Sequence, residues 1–350
     1  MNIKNVNLRV AISSKCNLNC IYCSKINKNG DYLPAQMEDF RRTSIKNGSI
    51  SKNVLIEILS NFKKKGVIGV SLTGGEPLLN PEFASIVKNI SNLGFLRIET
   101  TTNGLLLTDY LNKNGKLPKE LTLLKISIDT FNPKIFKTIT RGGSLQKLIN
   151  GIKKLKKTNK DLKIRANTVL MKSNLSNFPS YIDNCRKYGI NEVTVLDLVY
   201  FKNKNQKQDK IFFEKEYINF KEFNNFISKK LSQKFKKFQR YGHVLTLDDG
   251  FKIIFKDSNT SYRNPLCDKC SVYCQEGVYT VRIATDGNIT TCPDYEGQLL
   301  NIDGKSELLS GNLPKTIDSL IKFIKDSKQE ESFKKYLKKH KIKNNKLLSE

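Results

Sequence analysis

Six short runs rich in Val, Ile and Leu recur along the first 200 residues, and amphipathic stretches separate most of them. The runs are LRVAIS (8–13), VIGVSLTG (67–74), LRIETTTN (96–103), LLKISID (123–129), KIRANTVLM (163–171) and EVTVLDLVY (192–200). The intervening segments 54–66, 81–94 and 144–157 carry apolar residues at helical spacing; the first two end at glycine, and the second opens with Pro81 as a first helical residue. The link from 104 to 122 is less regular. Near-continuous apolar strands joined by crossover helices predict a parallel sheet covered by helices. The fold class expected is α/β, a partial (β/α)6 TIM-like barrel. Such folds carry their chemistry at the C-terminal ends of the strands.

Beyond the barrel, 201–215 reads as a polar connection and Phe220, Phe223, Ile227 and Leu231 share one face of a helix. Two hairpins with Asp-Gly turns follow, HVLTLDDGFKIIF and YTVRIATDGNITTC. Residues 313–345 are lysine-rich, helical in pattern and expected to pack outside. The domains expected are 1–205 for the barrel, 206–260 for a connecting helix and hairpin, and 261–350 for a small hairpin and helix domain.

Seven of the eight cysteines fall in two groups, and the eighth, Cys185, recurs with Phe178 and Ile182 as a packed core thiol. There is no apolar signal sequence and no run long enough to span a membrane, so a cytoplasmic protein is expected. Grouped cysteines in such a chain point to metal rather than to disulfides. Cys16, Cys20 and Cys23 follow the first strand as C-x3-C-x2-C. Three thiolates ligate three irons of a [4Fe–4S] cluster and leave the fourth iron open, as catalysis requires. Zinc is the alternative, and it would need a fourth ligand from far along the chain. Cys267, Cys270, Cys274 and Cys292 surround the second hairpin and are enough to fill one further cluster or a structural zinc.

These residues carry a resemblance. Cys16-Asn-Leu-Asn-Cys20-Ile-Tyr22-Cys23 resembles the signature of the radical S-adenosylmethionine (SAM) enzymes, and Gly74-Gly75-Glu76-Pro77 resembles the family segment that holds the methionine end of SAM. Two glycines let a backbone approach a ligand closely. Ser127, in KISID with Asp129, resembles the strand-four serine segment that reaches SAM, and Val199 falls where an apolar residue packs on adenine. The resemblance spans residues 8–200 and implies reductive cleavage of SAM at the cluster to a 5′-deoxyadenosyl radical. That radical removes a hydrogen atom from substrate, and flavodoxin or ferredoxin is the electron donor implied. The C-terminal cysteines resemble the auxiliary-cluster domains called twitch and SPASM. Such a cluster either relays electrons or, with one iron open, binds substrate.

Within the superfamily the chain is similar to the MoaA-like group, the molybdopterin-forming GTP cyclases. Arg9, Thr102 and Arg165 match positions that hold GTP there, with arginine standing for lysine at 165. Ser71 replaces a phosphate-binding arginine, and NNKLLSE at the end lacks the paired glycines of that group, so a related enzyme acting on another substrate is expected. A nucleotide-like or other small anionic molecule is the first substrate reading. A peptide is the second, although the chain begins almost at the cysteine motif with no leader-binding segment before it. RNA is the third and rests on the net charge of +28 alone. The lysines behind that charge are scattered rather than clustered, so neither a polynucleotide nor a membrane is an expected partner. A non-enzymatic iron–sulfur protein that binds nucleic acid would account for charge and cysteines, but not for GGEP and SID at matching strand ends.

Overall fold

The structure, a computed structural model, describes residues 6–23, 25–26, 32–33, 50–196, 198, 207–218, 220–226, 229, 238–241, 244–247, 249–256, 262–263, 280–291, 301–325 and 328–329. The six expected strands are present as β1 (Asn7–Ser13), β2 (Gly69–Gly74), β3 (Arg97–Thr102), β4 (Leu123–Ser127), β5 (Ile164–Val169) and β6 (Glu192–Leu196). They pair in that order, all parallel. Even-numbered residues of β1, such as Leu8 and Val10, are buried on the helix side, and the odd-numbered set lines the opposite face.

Helices cover one side: α1 (Lys52–Lys64), α2 (Phe83–Asn92), α3 (Leu107–Asn114), α4 (Pro133–Thr140), α5 (Leu145–Thr158) and α6 (Phe178–Lys187). Their starts follow from short polar side chains. Ser51 accepts from the Val54 amide, Asn132 from Lys134 and Ile135, and Ser144 from Lys147. Gly66 and Gly94 take positive φ just past α1 and α2. Pro81 is not the first helical residue expected. Asn80 accepts the Glu82 amide with its side chain and the Phe83 amide with its carbonyl, so the chain turns once more and α2 begins at Phe83. The irregular link contains α3, and α4 arises from an Asn-Pro start within FNPKIF. Cys185 is fully buried on α6, as its spacing predicts.

Both hairpins are present. Strands β7 (Phe238–Tyr241), β8 (Val244–Leu247) and β9 (Lys252–Lys256) extend one end of the sheet, β9 lying parallel to β6. Strands β10 (Thr280–Ile283), β11 (Asn288–Thr290) and β12 (Asn301–Asp303) extend the other, β10 lying parallel to β1. The order is therefore β12-β11-β10-β1-β2-β3-β4-β5-β6-β9-β8-β7. The strand bearing the cysteine loop has neighbours on both sides. Within the lysine-rich C-terminal stretch, α7 (Leu313–Lys325) packs against α1 in the outer layer and buries Leu313, Ile317, Leu320 and Ile324. No helix among the described residues is long and apolar enough to cross a membrane.

Candidate functional site

The C-terminal ends of β1 to β5 converge on the loop that carries Cys16, Cys20 and Cys23. The β1–β2 register shifts between Ala11 and Ser13, which lifts the Ser13 carbonyl toward the next strand. Gly74 meets it with φ +126°, and a Cβ there would lie 2.3 Å from that carbonyl oxygen. The Gly75 amide donates to Ser13 O and the Glu76 amide to Lys15 O, both at 2.8 Å, and the Asn80 side chain donates to Ile12 O. The glycine-rich turn is thus laced to the start of the cysteine loop by backbone bonds, at an approach that a side chain at Gly74 would block.

Glu76 is 1% exposed and spends both carboxylate oxygens on this mouth. Oε1 accepts from Thr102 Oγ1 (2.7 Å) and the Leu78 amide (3.1 Å); Oε2 accepts from the Asn103 amide (2.8 Å). Burial pushes its carboxyl up to about 6, and the donors from Thr102, Asn103 and Leu78 oppose the rise. Pro77 is buried in the short turn Pro77–Leu79 that follows. The Asn103 side chain continues the chain of contacts, donating to Asn17 Oδ1 at 2.7 Å and to Cys16 Sγ at 3.7 Å.

Across the mouth, Tyr22 lies in the single turn Ile21–Cys23, which rests on α4. Its hydroxyl donates to Asp129 Oδ2 at 2.8 Å, and Asp129 Oδ1 accepts the Val169 amide at 2.8 Å. Burial pushes Asp129 up to about 6 against these two donors. Ile21, Tyr22 and Ile135 pack on Ile139, Met171 and Leu198. Ser127, half-buried, ends β4 beside this contact and is the register partner of Asn167.

Deeper between the strands runs a charged belt: Arg9, Ser71 and Glu99 are register neighbours on β1 to β3, and Lys125, Arg165 and Glu192 are neighbours on β4 to β6. Lys125 pairs with Glu99 and also reaches Ser71 Oγ, two strands away, at 3.4 Å, a contact that only the concave side of a curved sheet allows. Arg165 and Lys163 both pair with Glu192. Burial lowers the Lys125 ammonium; Glu99 opposes this, and nearby Arg165 and Arg9 add to it. Burial alone would raise Glu192, but its two cations hold it below the usual carboxylate range. Arg282 on β10 is the register partner of Arg9 and is buried.

Of the residues expected from the sequence, Cys16, Tyr22, Gly74, Gly75, Glu76, Pro77 and Thr102 share this mouth, with Cys20 in the same loop and Ser127 across it. Thr102, expected at the substrate, faces the helix side and is 1% exposed, its hydroxyl bound to Glu76. Arg9 and Arg165 lie in the belt. Cys16 and Cys20 are half-buried; Cys23 is placed in the Ile21–Cys23 turn, its side chain outside the described set. Among the described residues no three His, Cys, Asp or Glu side chains converge as a metal centre. Val199 and the four cysteines Cys267, Cys270, Cys274 and Cys292 lie outside the described residues, as do most of 24–52 and the Ile227 and Leu231 expected on a helix face. Asn103 and the Lys125–Glu99 pair were not singled out from sequence. Alternation along RIETTT and LLKIS places Glu99 and Lys125 on one face and so carried a signal for the pair.

A parallel, curved α/β sheet with a cysteine loop bonded to a glycine-rich turn at its strand ends is the arrangement of a partial barrel with a candidate site at its mouth. A family model described as the Radical SAM superfamily matches residues 10–185, and the chain belongs to that superfamily of enzymes. Membership implies a [4Fe–4S] cluster and SAM as cofactors. Among proteins of similar sequence are a "GTP 3′,8-cyclase" from Limosilactobacillus fermentum and a "Probable GTP 3′,8-cyclase" from Methanococcus maripaludis. The first is 36% identical over 148 residues, 41% of this chain and 40% of that protein. The second is 27% identical over 301 residues, 84% of this chain and 87% of that protein. Among solved structures, SuiB of Streptococcus suis bound to SAM has a TM-score of 0.52 at 16% identity, covering 82% of this chain and 58% of SuiB. Native anSMEcpe with bound AdoMet has a TM-score of 0.54 at 14% identity, covering 91% and 82%. At these identities the likeness is one of fold.

Proposed function

We propose that this enzyme cleaves SAM reductively and acts on a small, nucleotide-like molecule. In this reading Cys16, Cys20 and Cys23 hold the [4Fe–4S] cluster, and Gly74, Gly75, Glu76, Pro77, Tyr22, Ser127 and Val199 line the SAM site. The observation that carries it is the lacing of the glycine-rich turn to the cysteine loop through Gly75, Glu76 and Asn103. The donors suit the cofactor: three sulfur residues lie within eight positions, and the bare backbone of Gly74, where any Cβ would meet the Ser13 carbonyl at 2.3 Å, lets the turn close on their loop. Cys16, Cys20 and Cys23 would hold the cluster, which when bound would supply one electron for reductive cleavage of SAM and so the radical chemistry that takes a hydrogen atom from substrate. The chain's own residues hold position. Glu76 fixes the turn, Thr102 fixes Glu76, and the Tyr22–Asp129 bond sets the aromatic ring at the mouth. Arg9 and Arg165, in a belt richer in cations than in carboxylates, face an anionic substrate group.

The GTP cyclase names of the sequence relatives support the nucleotide-like class. Residues 1–205 form the core in this reading, 206–260 the connection and 261–350 an auxiliary domain in which Cys267, Cys270, Cys274 and Cys292 hold a second [4Fe–4S] cluster. The hairpin between Cys274 and Cys292 places β10 against β1. Flavodoxin or ferredoxin supplies electrons. SuiB is also known in a structure bound to precursor peptide SuiA, which makes peptide maturation the second reading.

Anaerobic reconstitution followed by SAM and dithionite tests the assignment. We expect 5′-deoxyadenosine from the wild type and about eight irons per chain. The Cys16→Ala/Cys20→Ala/Cys23→Ala variant is expected to make none and to keep about four irons. Cleavage that survives in that variant refutes the first cluster site, and about four irons in the wild type refute the second. Faster SAM cleavage with nucleotides favours the first substrate reading, and with a ribosomal peptide the second.

A further inference from the structure

We propose that Asn103 is a positioning residue for Cys16, donating a side-chain hydrogen bond to its sulfur and thereby raising the electron affinity of a cluster held there. This rests on reading Cys16 as a cluster ligand. Oxygen and nitrogen of an asparagine amide are told apart only by their partners, and here the partners decide. The Leu105 amide donates to Asn103 Oδ1 at 3.0 Å, so the oxygen faces back along its own turn. The opposite end is then the NH2 group, with one hydrogen for Asn17 Oδ1 at 2.7 Å and the other for Cys16 Sγ at 3.7 Å. The flipped amide would turn its oxygen on Asn17 Oδ1 and its NH2 on the Leu105 N–H, losing all three contacts at once.

The backbone beneath Asn103 is held equally firmly. Its amide donates to Glu76 Oε2, Thr102 before it donates to Glu76 Oε1, and Gly104 after it turns with φ +78° against Leu148 and Ile126. A donor fixed at both ends keeps its direction whether or not the sulfur carries extra charge. A hydrogen bond to a thiolate is charge-assisted, and it strengthens as electron density on the sulfur grows. The reduced cluster places more charge on its thiolates than the oxidised one, so the bond favours reduction. The same contacts join the Glu76 turn to Cys16 through one residue, so a shift in either is felt by the other.

The experiment is a redox titration of reconstituted wild type, Asn103→Ala and Asn103→Asp, followed by electron paramagnetic resonance. Both variants lose the NH2 donor, and the aspartate keeps the shape. We expect both to load the cluster and to be harder to reduce by up to about tenfold, a midpoint up to about 59 mV more negative for one electron. Identical midpoints in loaded wild type and variants overturn the proposal. A Cys16→Ala protein that keeps its SAM-cleaving cluster instead overturns the ligand assignment on which it rests. Where a variant loads poorly, the alkylation rate of Cys16 relative to Cys20 in cluster-free protein reads the same bond. It is expected to slow by about threefold, and an unchanged ratio overturns the proposal.

Discussion

Glu76 shows how much one side chain does at this mouth. It is buried, it accepts three hydrogen bonds, and its carboxyl sits at about 6 rather than its ordinary 4.5. The folded state therefore binds this proton more tightly than the unfolded chain. The resulting stability is present in full below about pH 4.5 and is lost as pH rises through about 6. The shift corresponds to about 2 kcal/mol. In Glu76→Gln this component is removed, so the curve of unfolding free energy against pH is expected to flatten between pH 4.5 and 6. Urea titrations of cluster-free protein at several pH values measure it, and parallel curves for the two proteins would show that Glu76 does not titrate in this range. The cysteines and GGEP were readable as a string because their chemistry is local. The roles of Thr102 and Asn103 were not, because their partner Glu76 lies 26 and 27 positions away. Period-2 alternation along RIETTT does separate Thr101 from Thr102, and applied to TTNG it would have placed Thr102 on the helix side.

At the scale of elements, α3 and α5 lie unusually close behind the mouth. Gly151, inside α5, faces α3: an added Cβ would stand 2.9 Å from Leu107 Cβ and 3.2 Å from Gly104 O. Helix propensity favours alanine there by about 0.5–1 kcal/mol. Overpacking of a filled core costs about 1–3 kcal/mol, and the nearest atoms belong to a backbone carbonyl and a Cβ, which cannot swing away. Gly151→Ala is therefore expected to destabilise by about 1–2 kcal/mol, read by chemical denaturation; a gain in stability would mean the helices have room to part. Gly74→Ala at the mouth combines positive φ with a contact at 2.3 Å and is expected to lose about 1–3 kcal/mol and to disturb the cysteine loop. The strands and the helices α1, α5 and α6 were legible because their caps and periodicities lie within one window. The start of α2 was not, since Asn80 competes with Pro81 for the turn, and α4 was missed although Asn132 and Pro133 announce it.

For the molecule as a whole, the order of the sheet was the least legible feature. No local signal says that β10 pairs with β1; that contact joins residues at opposite ends of the chain and is decided by packing of Val281 and Ile283 into the core. A chain stopped after residue 260 would lack β10 to β12 and bare one flank of β1. Such a protein is expected to aggregate or to unfold in a broad, weakly cooperative transition, since an unpaired edge templates association. A sharp thermal transition by circular dichroism from a monomeric truncated chain would show that the barrel strands suffice. The net charge of +28 is spread as lysine over every segment, and its reading as a solvated surface needs no single basic groove.

The place of β1 between β2 and β10 has a consequence for biogenesis. A ribosome delivers the cysteine segment first and the strand that closes over its other side only when the final quarter of the chain has emerged. Until then the thiols hang from a half-paired ribbon. The far side of this mouth is therefore closed late, once Thr280–Ile283 has reached Asn7–Val10.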